Sequence, residues 1–205
     1  MQAKVCGLTT AEQVKTCVDY GANFCGFILN YSKSHRFIDY QKIKELTKVD
    51  RKNTSYVGVL VEPTKKELQT FSNLNLDYFQ IYGDLSENEI SEIKTEYKKK
   101  VIMAIQIKEK EDLLKYKNFE NSADIILFDS SGLHKSLSWN YKWIKIIPPY
   151  INKMIAGNLN IDMLENLREI ADIIDVSGAL ETNKVKDLNK IKLFLDKIKK
   201  INDKN

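Results

Sequence analysis

Proline and glycine are sparse, with three and eight copies in 205 residues, which is too few for a collagenous or disordered chain. No stretch approaches the ~18 consecutive apolar residues that a membrane span needs, so no membrane partner is expected. Cysteine is scarce as well. Cys6, Cys17 and Cys25 form no C-x-x-C pair and are odd in number, which argues against a disulfide framework and against a zinc site. Any cysteine with a special role acts singly, as a thiol. Arginine occurs only as Arg36, Arg51 and Arg168 among 32 basic residues, and the signs of charge are interspersed apart from Lys98 to Lys100 and the lysine-rich C-terminus. A nucleic-acid binder concentrates positive charge and uses arginine for bidentate contacts, so no nucleic acid is expected as a partner. The N-terminal MQAKVCGLTT lacks a basic segment followed by an apolar run, so the expected location is the cytoplasm.

What remains is 43% hydrophobic and 29% charged, enough for one sizeable core in a soluble chain, and residues 1–205 are expected to form one domain. Eight short apolar runs recur along it: Lys4-Val-Cys-Gly, Phe24-Cys-Gly-Phe-Ile-Leu, Tyr56-Val-Gly-Val-Leu-Val, Tyr78-Phe-Gln-Ile-Tyr, Val101-Ile-Met-Ala-Ile, Ile125-Ile-Leu-Phe, Lys153-Met-Ile-Ala and Ile173-Ile-Asp-Val. Nearly continuous apolar runs of this length are the pattern of parallel strands covered on both faces. Helical segments are predicted between them: Thr9 or Thr10 to Tyr20, Tyr40 to Val49, Thr64 to Asn73, Ser86 to about Lys98, Lys110 to Tyr116, Trp139 to Ile147, Ile161 to Ile170, and Asp187 to about Ile201. Gly21 stops the first, and Ser86 with Glu89 makes a capping box for the fourth. Strand and helix alternate throughout, which predicts an α/β protein, and eight such units close into a single-domain parallel (β/α)8 barrel. A doubly wound open sheet fits less well, because the chain has neither G-x-G-x-x-G nor a Walker A sequence.

Barrel chemistry sits at the C-terminal ends of the strands, which directs attention to a few residues. Cys6 ends the first run, where its thiol can point into the barrel mouth and a nearby cation can lower its pKa; an inert core cysteine is the alternative, and it suits Cys17 and Cys25 better. Asp129 emerges from an apolar strand, where partial desolvation can hold its proton near neutrality; a loop-capping role is the alternative. Arg36, in the loop after the second strand, suits a carboxylate or phosphate, against a plain surface ion pair. Tyr82, Asp175 and Ser177 also lie at strand ends. The turns at Gly132–Ser136, Gly157-Asn158 and Ser177-Gly178 follow strands six, seven and eight, where backbone N–H groups commonly bind phosphate, and together they suggest an anionic, phosphorylated small-molecule ligand. His35 and His134 have no carboxylate spacing that suggests a metal, and a histidine base is unsupported.

These residues resemble the phosphoribosylanthranilate isomerase family of tryptophan biosynthesis over essentially the whole chain. Lys4-Val-Cys-Gly-Leu-Thr9 is similar to its opening K-x-C-G-I/L-T, and Gly21-Ala-Asn-Phe-Cys-Gly-Phe27 to G-A-D-x-x-G-F. Ser34-His-Arg36, Val57-Gly-Val-Leu-Val61, Gln80-Ile-Tyr-Gly83, Leu127-Phe-Asp129, Lys135-Ser-Leu-Ser-Trp139 and Asp175-Val-Ser177 are similar to S-x-R, V-G-V-F-V, Q-L-H-G, L-L/F-D, K-T-F-D-W and the start of D-V-S-S-G-V-E. The resemblance implies a cofactor-independent, metal-free Amadori rearrangement with Cys6 as general base, Asp129 as general acid and Arg36 holding the anthranilate carboxylate. It implies that Tyr82 and Asp175 contact substrate, and that Gly132, Gly157, Asn158, Ser177 and Gly178 grip its phosphate. The expected assembly is a monomer or homodimer. Tyr82 stands where the family usually has His, His134 and Asn158 replace glycines, and Gly178-Ala179 replaces Ser-Gly. An alanine forced to positive φ would cost about 1 kcal/mol. These departures leave two alternatives open: a barrel that binds with little turnover, or an isomerase of another phosphosugar.

Overall fold

The computed structural model describes residues 1–130 and 137–204. Eight parallel strands close into a barrel in chain order: β1 (Gln2–Cys6), β2 (Phe24–Ile28), β3 (Ser55–Val61), β4 (Tyr78–Tyr82), β5 (Lys100–Ile107), β6 (Ile125–Ser130), β7 (Lys153–Ile155) and β8 (Ile173–Val176). Closure comes from β1 pairing with β8, with Lys4 opposite Asp175. A closed barrel leaves no unpaired sheet edge.

Side chains alternate between the two sides of this wall, and the sequence divides accordingly. Outward residues such as Val5, Phe27, Leu60, Phe79, Ile126 and Ile155 pack under the surrounding helices. Inward residues Phe24, Val57, Ile102, Ile125, Leu127, Met154 and Ile173 form a second cluster that fills the lower barrel. The same inward register continued toward the strand C-termini turns polar. It carries Lys4 and Cys6 on β1, Gln80 and Tyr82 on β4, Gln106 on β5, Asp129 on β6, and Asp175 on β8. A period of two thus sets a packed floor beneath a polar mouth.

The first four helices start with side-chain caps. Thr10 precedes α1 (Ala11–Asp19), Asp39 precedes α2 (Tyr40–Leu46), Thr64 precedes α3 (Lys65–Ser72) and Ser86 precedes α4 (Glu87–Tyr97); Thr10, Thr64 and Ser86 complete capping boxes with Gln13, Glu67 and Glu89. The next three predicted helices differ from expectation. Lys110–Asn118 and Tyr141–Ile146 are 3-10 turns, and Ile161–Met163 is a 3-10 turn leading into the single α-helical turn α5 (Leu164–Leu167). For the first two, the spacing of the buried residues is the cause: Leu113, Tyr116 and Phe119 fall three apart, as do Ile144 and Ile147. Three residues per turn aligns such a row along one line, whereas an α-helix would set its successive members progressively off that line. Pro148-Pro149 then ends the second segment.

After β8, a short 3-10 turn (Gly178–Leu180) leads to a two-stranded ribbon, β9 (Glu181–Thr182) and β10 (Val185–Lys186), before α6 (Leu188–Asn202) closes the chain. The ribbon's turn uses Asn183 and Lys184, both with positive φ, as a two-residue hairpin loop requires. It returns Lys186 to the side of Glu181. Among the described residues no helix is long and apolar enough to cross a membrane.

Candidate active site

The polar mouth is a cavity lined by Cys6, Arg36, Gln80, Tyr82, Gln106, Asp129, Asp175 and the turns at Gly157–Leu159 and Ser177–Ala179. Of the site residues expected from the sequence, Cys6, Arg36, Tyr82, Asp129, Gly157, Asn158, Asp175, Ser177 and Gly178 line it, while Gly132 and His134 lie outside the described residues.

Cys6 needs a gap in the neighbouring strand. Gly26 supplies it, since a Cβ there would sit 2.8 Å from the Cys6 sulfur and 3.2 Å from its Cα. Beneath the thiol lies Lys4, fully buried, its ammonium donating to Asp175 Oδ2 at 2.7 Å. Asp175 Oδ1 is buried with no partner. An ammonium taken out of water this completely is tolerable only because it is paired, and removing either partner of such a pair typically costs about 3–5 kcal/mol. Burial pushes the Lys4 ammonium down, but Asp175 and the Cys6 thiol beside it outweigh burial, and its pKa is raised. For Cys6 the balance falls differently from the sequence expectation. Burial pushes the thiol above its ordinary 9.0 and Asp175 adds to this, while Lys4 and Lys186 only partly pull it back. The cations foreseen from the sequence are present, but desolvation wins.

Asp129 enters from β6, separated from β1 by β7 and β8 around the ring. Its Oδ1 accepts from the Ser130 backbone N–H at 2.7 Å and its Oδ2 from the Tyr82 hydroxyl at 2.7 Å. Burial raises its pKa to about 6, with Asp175 assisting, against the lowering effects of Tyr82, the Ser130 N–H and Lys4. The proton held near neutrality, expected from an acid leaving an apolar strand, is therefore present.

Arg36 crosses the mouth over Gly7. A Cβ at Gly7 would lie 2.4 Å from Arg36 Cδ, and Gly7 also takes a φ of +80°, so glycine is required twice over. The guanidinium Nε and Nη2 both donate to the Glu181 carboxylate, Nη2 at 3.0 Å, leaving the opposite edge for another planar anion. Glu181 is also bonded by Lys186 and approached by His35 Nε2 at 3.1 Å. Burial would raise its pKa, but Arg36 and Lys186 hold it at about 2, so it stays ionised. His35 thus contacts the partner of Arg36 and does not line the cavity.

Across from Arg36, Trp139 Nε1 donates to the Ala156 carbonyl at 2.9 Å and the Tyr141 hydroxyl donates to that of Gly157, which fixes the turn after β7. Gly157 has φ +100° and Asn158 φ +47°. Asparagine is among the few L-residues that enter the left-handed region readily, so its replacement of a glycine is accommodated. Ala179 does not adopt positive φ, and the strain expected there is absent. Ser177 donates to the Cys6 carbonyl at 2.9 Å and receives Lys186 at 3.3 Å, tying the turn after β8 to the thiol's own backbone.

Lys4, Glu181 and Lys186 were not singled out from the sequence. Lys4 was detectable by period, two residues before Cys6 and so on the same face; Glu181 falls at the end of the D-V-S-S-G-V-E segment. Nothing local marked Lys186. No cluster of three or more metal-ligating side chains occurs among the described residues.

The family model for N-(5'phosphoribosyl)anthranilate (PRA) isomerase matches residues 3–197. A protein of Streptococcus gordonii named N-(5'-phosphoribosyl)anthranilate isomerase is 34% identical, with 97% of each chain covered. One from Streptococcus mutans with the same name is 32% identical over 97% of this chain and 99% of its own. Among solved structures, the phosphoribosyl anthranilate isomerase of Thermotoga maritima aligns with a TM-score of 0.87 at 23% identity, covering 98% and 99% of the two chains. A phosphoribosyl anthranilate isomerase in complex with reduced 1-(o-carboxyphenylamino)-1-deoxyribulose 5-phosphate aligns with a TM-score of 0.84, also at 23% identity, covering 98% and 99%.

Proposed function

Since the chain belongs to the N-(5'-phosphoribosyl)anthranilate isomerase family, an enzyme family of tryptophan biosynthesis, we propose that Cys6 and Asp129 carry its aldose–ketose rearrangement as base and acid. The observation that carries this reading is that both side chains enter one cavity, from β1 and from β6, each with a different electrostatic setting. Asp129 protonates the furanose oxygen and the ring opens to a Schiff base. Cys6 takes the proton from C2, giving an enolamine that tautomerises to the ketone. The reaction needs a donor and an acceptor across one bond system, and no electrons leave or enter the substrate.

Arg36 holds the substrate carboxylate with the guanidinium edge that Glu181 leaves open. Gly157, Asn158, Ser177 and Gly178 hold the phosphate, and Asp175 borders the sugar. No part of this reading needs a second chain, and the enzyme acts as a monomer or homodimer in the cytoplasm.

The test follows the fluorescence of phosphoribosylanthranilate, generated in place from anthranilate and phosphoribosyl pyrophosphate, and its loss on adding the purified chain. Rapid loss supports the reading; none at high enzyme concentration overturns it in favour of a binding protein or another phosphosugar. In the same assay Arg36→Met is expected to raise KM by about tenfold or more with a smaller change in kcat, because a charge-assisted bidentate contact made equally in ground and transition states is lost. A fall in kcat at constant KM would remove Arg36 from carboxylate binding.

The pH profile follows from the two titrations. The form with Asp129 protonated and Cys6 ionised carries as many protons as the form with Asp129 ionised and Cys6 a thiol, so kcat/KM is maximal between them. We expect a lower limb near pH 6 from Asp129 and an upper limb above 9 from Cys6. An upper limb below 8 would show that the thiol is activated before substrate arrives.

A further inference from the structure

Tyr82 is half-buried at the end of β4, and its hydroxyl lies between two polar partners: it donates to Asp129 Oδ2 at 2.7 Å, and Gln80 Nε2 donates to the phenol oxygen at 3.2 Å. A phenol has one hydrogen to give. With Gln80 filling a lone pair from below, that hydrogen is directed at Asp129. The other carboxyl oxygen is held by the Ser130 backbone N–H, so donors at both oxygens fix the plane of the carboxyl group. Resting on the acid–base reading above, we infer that Tyr82 is a positioning residue for Asp129, which fixes the orientation of its carboxyl and favours its ionised form, and that it is not a substrate contact.

Other charged and titratable groups face the same carboxyl. Asp175 on β8 favours its protonated form, Lys4 on β1 favours its anion, and Tyr141 beyond β6 stands nearby as a neutral group. Of the two direct donors, the Ser130 N–H belongs to the backbone and survives any side-chain change. Tyr82 is therefore the removable half of the grip. Its own proton is secure, since burial and the adjacent Asp129 push the phenol well above its ordinary 10.0, and it remains a donor across the working range. When Asp129 gives up its proton in a buried site, a donor already aligned with Oδ2 spares the reorganisation that water would otherwise supply.

Tyr82→Phe keeps the ring and deletes only the donor. In substrate-free protein, the Asp129 carboxyl is titrated by infrared difference against Asp129→Asn, and Tyr82→Phe is expected to raise its midpoint by about one pH unit, the size of one charge-assisted hydrogen bond. The lower limb of the kcat/KM profile should rise by the same amount with KM unchanged. An unmoved Asp129 midpoint overturns the inference, and so does a raised KM with both limbs in place, which would make Tyr82 a substrate contact. The infrared reading needs no turnover. A wild-type chain that fails to convert phosphoribosylanthranilate would overturn the functional reading, while the carboxyl titration still decides the role of Tyr82.

Discussion

Cys6→Ser is expected to lower turnover by about three orders of magnitude, within the range typical for loss of a general base, while the barrel stays folded. The chemical half of this expectation rests on acidity. Burial raises the thiol above its ordinary 9.0, yet a thiol remains a far stronger acid than the serine hydroxyl that would replace it. The structural half rests on space and partners. Oxygen is smaller than sulfur, so it fits the gap that Gly26 leaves beside position 6. A buried hydroxyl needs an acceptor, and Asp175 Oδ1 is a buried acceptor with no donor of its own. Stability should change by no more than about 1 kcal/mol, measurable as a small shift in Tm. The upper limb of the pH profile should vanish with the thiol. Turnover comparable to wild type would remove Cys6 from the chemistry, and loss of the folded state would show that the Lys4–Asp175 pair depends on sulfur.

The strands and their order around the barrel were legible because burial on both faces imposes nearly continuous apolar runs, whereas such runs do not mark which side chains face inward. Cys6, Asp129, Asp175 and Ser177 could be placed at the mouth from their positions at the strand ends alone. The 3-10 segments were not legible as such: a row of apolar residues three apart, as in Leu113, Tyr116 and Phe119, is compatible with α-helical spacing until the packing partners are known. The supports of the site escaped for another reason. Lys4 meets Asp175 across 171 positions and Arg36 meets Glu181 across 145, so no local window contains either pair. The direction of the Cys6 shift was misjudged for the same reason, since the sequence announces nearby cations but not the depth of burial that outweighs them. Asn158 departs from the family's glycine, yet its residue type is one of the few suited to the backbone it adopts. The loop containing Gly132 lies outside the described residues.

Asp129→Asn is expected to reduce turnover by about two to four orders of magnitude, because an amide cannot donate a proton to the ring oxygen. It is expected at the same time to make the protein more stable above neutrality. The sign follows from linkage. Asp129 has its folded pKa raised from 3.8 to about 6, so its contribution is fully present at low pH, where it is protonated in both states, and is lost as pH rises through about 6. A shift of this size amounts to as much as about 2–3 kcal/mol, which the asparagine variant does not lose. Part of that gain is offset locally. Ser130 N–H cannot reverse its role, so the amide oxygen must accept from it, and the amide NH2 then faces Tyr82, whose hydroxyl has to turn away. Denaturant unfolding of both proteins at pH 4 and pH 8 separates these effects. The variant should match or fall slightly below wild type at pH 4 and exceed it at pH 8, with the lower limb absent from whatever activity remains. Equal stability at both pH values would mean that Asp129 is not held as a strained, nearly neutral acid, and full activity would mean that another group opens the ring. The two results together would identify the destabilising burial of this carboxyl as the condition of its use, since the desolvation that weakens the fold at neutral pH also keeps a proton within reach of the substrate.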